Sequence, residues 1–254
     1  MKSIEHVFVG GVKAATLGRA ELAERIIDDC LERRDTVATS PRLLFDTNGQ
    51  GVSLAATDPA FAKALQAADV VHADGGWLVL ASRFLAGAPI SERSATTDLI
   101  HDLASAGLAD NLSHFLLGGT EEVNARCEAR LRDLYPDIQI VGRHHGFFGQ
   151  YEEGVIRAIE VASPDVLWIG LGKPREQFFA VRNKDRLKAR WAITCGGCFN
   201  YITGDYGRAP RWMQDNHVEW LYRAATTPNL IWRYLTTSPH AIWLALTKRD
   251  RRIV

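Results

Sequence analysis

No uninterrupted hydrophobic run in this chain reaches the roughly 18 residues that would span a membrane. The first residues include Glu5 and His6 and lack the apolar core of a secretory leader, so none is expected. Cysteine is scarce: four in 254 residues cannot form a disulfide framework, and the cell interior is the expected compartment. Cys195 and Cys198 have the C-x-x-C spacing of redox and zinc sites. No second pair and no suitably spaced Cys/His partner accompanies them, so the reading assigns them no metal. Excess charge is missing too. Thirty basic and thirty acidic side chains cancel, and no global field favours nucleic acid. There is no Walker pattern. Asn48-Gly49-Gln50-Gly51 lacks the three-glycine dinucleotide fingerprint, which argues against a nicotinamide oxidoreductase. The absence of any Asp-x-Asp pair argues against a metal-bridged diphosphate.

What is present is ordinary globular material, 46% hydrophobic and 24% charged, long enough for one large α/β domain or a domain with an appendage. Strand-like runs recur at Leu43–Asp46, Val70–Ala73, His114–Leu117, Ile138–Val141, Asp165–Ile169 and Trp191–Thr194. Most of them end at or near a glycine turn, with helical spacing in between, as in Ala55–Ala67, Trp77–Phe84 and the segment ending at Leu134. Asp58-Pro59 supplies a helix start, and Asp98 another. Strand, glycine turn and helix alternating in this way predict a Rossmann-like, mostly parallel sheet with helices on both faces.

The grain changes near Tyr206, so the expected division is an α/β catalytic domain over 1–205 and a helical appendage over 206–254. Four of the seven tryptophans, Trp212, Trp220, Trp232 and Trp243, lie in the second part among Arg208, Arg211, Arg223 and Arg233. The last seven residues carry four positive side chains and one negative. Aromatics mixed with arginines suit a membrane interface, and they equally suit a packed helical hairpin.

Chemistry concentrates at the strand ends. Asp74 follows a β-branched run and precedes Gly75 and Gly76, so its carboxylate is aimed beside backbone that a ligand can approach. It would equally serve as a cap for the helix that follows. Gly118-Gly119-Thr120 opens a helix where free N–H groups favour an anion, and Gly170–Lys173 forms a similar turn with a cation attached. Arg93 follows Glu92 in a polar stretch. Asn48 could orient a ligand hydroxyl or simply make a turn before Gly49.

Together these pieces resemble the WecG/TagA/CpsF glycosyltransferase family, over nearly the whole chain. The resemblance rests on Asn48, Ala55–Asp58, Ala73-Asp74-Gly75, Glu92-Arg93 with Asp98-Leu99, Gly170-Leu171-Gly172-Lys173-Pro174, Arg208-Ala209-Pro210-Arg211-Trp212, Glu219-Trp220-Leu221-Tyr222-Arg223 and Trp232-Arg233-Tyr234. It implies an inverting transfer of a sugar from a nucleotide donor, usually UDP-linked, to a polyprenyl-diphosphate-linked saccharide in teichoic acid, common antigen or exopolysaccharide synthesis. It implies no divalent metal and no other cofactor. It also implies a peripheral position on the cytoplasmic face of the cell membrane, with the appendage helping to close the site.

On that reading Asp74 is the general base, and Arg93, with Arg208 and Arg223, holds the diphosphate. Asp46, Asn48, Gly75, Gly118, Gly172 and Glu176 line the substrate site. Four positions depart from the family pattern: Asp46 stands where Thr is common, Thr96 for Gly, Glu176-Gln177 for Gln-Glu, and Asn200 for Asp. If Asp46 and Glu176 share a crevice with Asp74, the expected relief of their repulsion is an internal pair with Lys173, Arg175 or Arg93. The departures also leave open a non-catalytic nucleotide-sugar or lipid-binding protein on the same scaffold. Donor sugar, acceptor glycan and oligomeric state, a homo-oligomer included, are not legible.

Overall fold

The hydrophobic alternation along the strands becomes two apolar layers on either side of one sheet. A computed structural model describes residues 4–34, 40–215, 219–226 and 229–248. In chain order the elements are β1 (His6–Val9), β2 (Val12–Ala15), α1 (Arg19–Glu32), β3 (Arg42–Thr47), α2 (Gly49–Thr57), α3 (Pro59–Gln66), β4 (Val70–Ala73), α4 (Gly76–Leu85), α5 (Thr96–Ala106) and β5 (Ser113–Gly118). There follow α6 (Glu121–Leu134), β6 (Gln139–His144), a 3₁₀ turn at Gly149–Tyr151, α7 (Glu152–Ala162), β7 (Val166–Gly170), α8 (Arg175–Arg182), β8 (Trp191–Thr194), α9 (Cys198–Ile202), α10 (Arg211–Asp215), α11 (Glu219–Thr226) and α12 (Asn229–Thr247).

Six strands form an all-parallel sheet in the order β4-β3-β8-β7-β5-β6, and every expected strand is one of them. The antiparallel β1–β2 hairpin stands apart, turning through Gly10 and Gly11, whose φ values of 59° and 87° suit glycine. The helix expected over 55–67 is two. α2 begins at Gly49, and Asp58 then breaks the chain, its Oδ1 accepting from the Ala60 and Phe61 N–H groups while Pro59 starts α3.

Leu43, Phe45, Leu117, Leu167, Ile169 and Ala192 pack on one face with residues of α2, α3, α4, α7, α8 and α12. Leu44, Leu116, Val166, Trp168 and Ile193 pack on the other with α1, α5, α6 and α9. This alternation positions the site. β8 sends its next helix, α9, to the second face, whereas its neighbours β3 and β7 send α2 and α8 to the first. In an open parallel sheet a crevice opens at the carboxyl ends of strands whose connections diverge this way, here around the end of β8.

Helix α12 lies against α2, and its Ala241, Leu244 and Ala245 belong to the first-face core. Its neighbour α11 packs on it. Among the described residues, no helix is long and apolar enough to cross a membrane.

Candidate active site

Around the end of β8, five chain segments deliver polar groups to one place. The buried Asp46, from β3, accepts from the Thr194 hydroxyl at 2.7 Å through one carboxylate oxygen and pairs with the Lys173 ammonium through the other. Lys173 comes from the turn after β7, where its peptide with Pro174 is cis. Burial pulls the Lys173 pKa down, but the surrounding carboxylates of Asp46, Glu176 and Asp74 outweigh it and the ammonium is held above its usual range.

Glu176, in the first turn of α8, is completely buried. Its Oε2 accepts from the Gly172 and Gly196 N–H groups, both at 3.0 Å, and Gln177 Nε2 reaches Oε1 at 3.3 Å. One carboxylate thus fastens the turn after β7 to the turn after β8. Burial, reinforced by Asp46, raises its pKa to about 7. Gly172 (φ 76°) and Gly196 (φ 52°) both look onto open space, since an added Cβ at either would meet no heavy atom within 4 Å. The expected internal pair therefore exists, between Lys173 and Asp46. Glu176 does not point to solvent from the start of its helix.

Asp74 does not cap the helix that follows it. The N-cap of α4 is Gly75, without a side-chain bond. Asp74 Oδ1 instead accepts from Thr96 N at 3.1 Å and Thr96 Oγ1 at 3.4 Å, at the start of α5, which begins at Thr96 and not Asp98. Its own N–H donates to Thr47 O at 2.9 Å, tying the end of β4 to β3. The residue is half-buried, and its charge acts on the Lys173 ammonium. Asn48 caps α2, its Oδ1 accepting from Gly51 N at 3.2 Å, and its Cβ would be 3.0 Å from a Cβ on Gly75. A side chain at Gly75 would make these two strand ends give by a few tenths of an ångström.

The arginines are held by carboxylates. Arg93 pairs with Glu219 of α11 and, at 3.5 Å, with Asp98; Arg208 reaches the other Asp98 oxygen at 2.7 Å. Burial would raise the Asp98 pKa, but Arg208, Arg19 and Arg93 outweigh it and hold the carboxyl low. The Arg223 side chain lies outside the described residues.

Gly118 is a packing position. Its φ is 146°, and an added Cβ would sit 2.3 Å from Gly170 O. At the start of α6 the N–H groups of Gly119 and Val123 donate to Gly170 O and Thr120 Oγ1, and Glu121 and Glu122 occupy the first turn. That helix end suits an anion less well than its glycines suggest.

Sequence reasoning passed over Thr194, His72 and Ser94. His72, on β4, is buried with Nδ1 2.9 Å from Ser94 Oγ and Nε2 unpartnered; burial lowers its pKa. Thr194 could have been found as the last strand residue before Cys195-Gly196-Gly197. Cys195 and Cys198 are buried free thiols, and burial pushes the Cys195 pKa up, so Cys195 is not a ready thiolate. Among the described residues, no group of three or more His, Cys, Asp or Glu is arranged to hold a metal.

The pattern of the glycosyl transferase WecG/TagA/CpsF family matches residues 7–253. The chain belongs to that family. It is 27% identical over 187 residues to an N-acetylglucosaminyldiphosphoundecaprenol N-acetyl-beta-D-mannosaminyltransferase of Staphylococcus aureus (strain MRSA252), covering 74% of this chain and 73% of the relative. It is 29% identical over 194 residues to the protein of the same name from Bacillus spizizenii, covering 76% and 74%.

Proposed function

We propose that this family member is an inverting glycosyltransferase that moves a sugar from a UDP-linked donor to a polyprenyl-diphosphate-linked saccharide, without a divalent metal. The observation that carries it is Asp74, half-buried at the carboxyl end of β4 with its carboxylate oriented by Thr96. A carboxylate so placed can take the proton of an acceptor hydroxyl as that oxygen attacks the anomeric carbon and the nucleoside diphosphate departs from the opposite side. Arg93 and Arg208, with Arg223, would neutralise the departing diphosphate, exchanging their present carboxylate partners for phosphate. Asn48 and the backbone at Gly75 and Gly172 would face the sugar, with Gly118 supporting the turn after β7. Asp46 and Glu176 would shape that pocket through Lys173 and the two glycine turns. The segment 206–254 would close over the site and rest on the inner face of the cell membrane.

The names of the relatives support N-acetylmannosamine as the first donor sugar to try and an N-acetylglucosaminyl-diphosphate lipid as the first acceptor. The test is ligand-linked thermal stabilisation across UDP-sugars, followed by transfer to a short-chain acceptor with the stabilising donor. Stabilisation without transfer to any acceptor would favour the non-catalytic reading that Asp46, Glu176 and Asn200 raise. Transfer is expected to survive a strong chelator, and loss restored by added metal would overturn the metal-free mechanism.

A further inference from the structure

Helix α4 begins directly after Asp74-Gly75 and buries Leu78, Val79, Ala81 and Ser82 in the fold. Its opposite side carries Leu80, Arg83 and Phe84, all exposed, with Phe84 77% accessible. Spacings of three and four put them on one helical stripe. Helix α12 packs beside α4 and presents Ile242, Trp243 and Leu246 outward, with Trp243 58% accessible. The turn of the β1–β2 hairpin abuts the end of α12: Cβ atoms built on Gly10 and Gly11 would lie 3.5 Å from Leu244 Cβ and 3.3 Å from Lys248 Cδ. β1 itself packs on α4. These three elements are therefore neighbours.

Their charges are all of one sign. Residues 6–15, 76–89 and 229–248 include no Asp or Glu, while Lys13, Arg83 and Lys248 are exposed. Two copies of this chain meeting through that surface would bring like charges together with no carboxylate of these segments to offset them. An anionic lipid surface matches both the exposed apolar side chains and the cations.

We propose that Leu80, Arg83 and Phe84 of α4, with Lys13 of the hairpin, form a second membrane contact beside the C-terminal helix, seated on anionic phospholipid. The proposal rests on the reading above of an enzyme working at a membrane on a lipid-linked acceptor. Its consequence is geometric. Asp74 lies two to three turns along α4 from the stripe, roughly 10–15 Å at 1.5 Å per residue, so the helix that follows the base also sets its height above the head groups.

The experiment measures binding of the full chain to phosphatidylglycerol and phosphatidylcholine vesicles, its sedimentation in solution, and transfer to a water-soluble short-chain acceptor. Leu80→Ser/Phe84→Ser should weaken binding to phosphatidylglycerol vesicles by about tenfold or more. Arg83→Glu should weaken binding to the anionic vesicles and leave the neutral ones unaffected. Melting temperature should stay within about 2 °C of wild type and turnover on the soluble acceptor within about twofold, because none of these side chains contributes to the core or the crevice. Vesicle affinity unchanged in the double variant overturns the proposal. So does a wild-type dimer that the double variant dissolves, since a second copy would then be the occupant. Absence of transfer by the wild type on every acceptor would overturn the enzymatic reading alone, because vesicle binding is read independently.

Discussion

Asp74 and Glu176 both stand past the carboxyl ends of sheet strands, β4 and β7, yet their surroundings differ. Asp74 keeps contact with solvent and is oriented by a backbone N–H and a hydroxyl of Thr96. Asp74→Asn preserves that shape and removes the proposed base. Turnover should fall by about 10²-fold or more while UDP-sugar binding is retained, as measured by steady-state kinetics beside calorimetric titration. Near-normal turnover would remove Asp74 from the mechanism. Glu176 has no solvent contact, and burial raises its pKa from 4.5 to about 7. The folded state therefore holds a proton that the unfolded state has released between those values. Its contribution is fully present below about pH 4.5 and is lost as pH rises through about 7. Glu176→Gln keeps one acceptor for the glycine N–H groups and removes the titration. The variant should gain stability relative to wild type between pH 5 and pH 8, on the order of 3 kcal/mol at most. Parallel unfolding curves at both pH values would show that Glu176 does not titrate in this range.

Between elements, the decisive tie is that of β3 to the turn after β7 through Asp46 and Lys173. Both side chains are almost fully enclosed, so removing one leaves the other's charge buried and uncompensated. Asp46→Asn should cost about 3–5 kcal/mol by denaturant unfolding, whereas Asp46→Thr combined with Lys173→Met should recover most of that loss. Strictly additive losses would mean that the pair is not coupled. The positions of these elements were open to sequence reasoning in unequal measure. All six sheet strands were legible, because each is a short apolar run brought to a stop near a glycine or a polar turn. The start of α2 was missed: its first turn is Gly49-Gln50-Gly51, and the cap bond from Asn48 replaces helix propensity there. The order β4-β3-β8-β7-β5-β6 was not legible, since it depends on which face each crossover takes. Nor was the Arg93–Glu219 pair, whose partners lie 126 residues apart and meet only when α11 docks. At the site, Asp74 and Asp46 could be read as strand-end carboxylates. Which cation relieved which acid could not, because that depends on the path of the turn through Lys173 and Pro174.

For the molecule as a whole, we propose that the change in composition near Tyr206 marks a change of work without marking a folding boundary. Helix α12 covers α2 on the first face of the sheet: Ala241 is fully buried, Leu244 and Ala245 are nearly so, and His240 Nδ1 lies 2.8 Å from Ser53 Oγ. Removing everything after residue 205 would uncover Val52 and its neighbours in the same core cluster. Each large apolar side chain returned to water costs about 1.5–3 kcal/mol. Several such losses approach the roughly 5–15 kcal/mol that holds an ordinary domain together. A chain ending at 205 should therefore lose its cooperative thermal transition and aggregate. By contrast, Trp212→Ser on α10, where the indole is 62% exposed, should melt within about 2 °C of wild type. Calorimetry on the two proteins separates the possibilities. A fragment 1–205 that melts cooperatively and still binds UDP would make 206–254 a separable appendage. Loss of folding would mean that the helices we propose to lie at the membrane also complete the core, so that on this proposal a perturbation at the lipid surface would reach the crevice through α12 and α2.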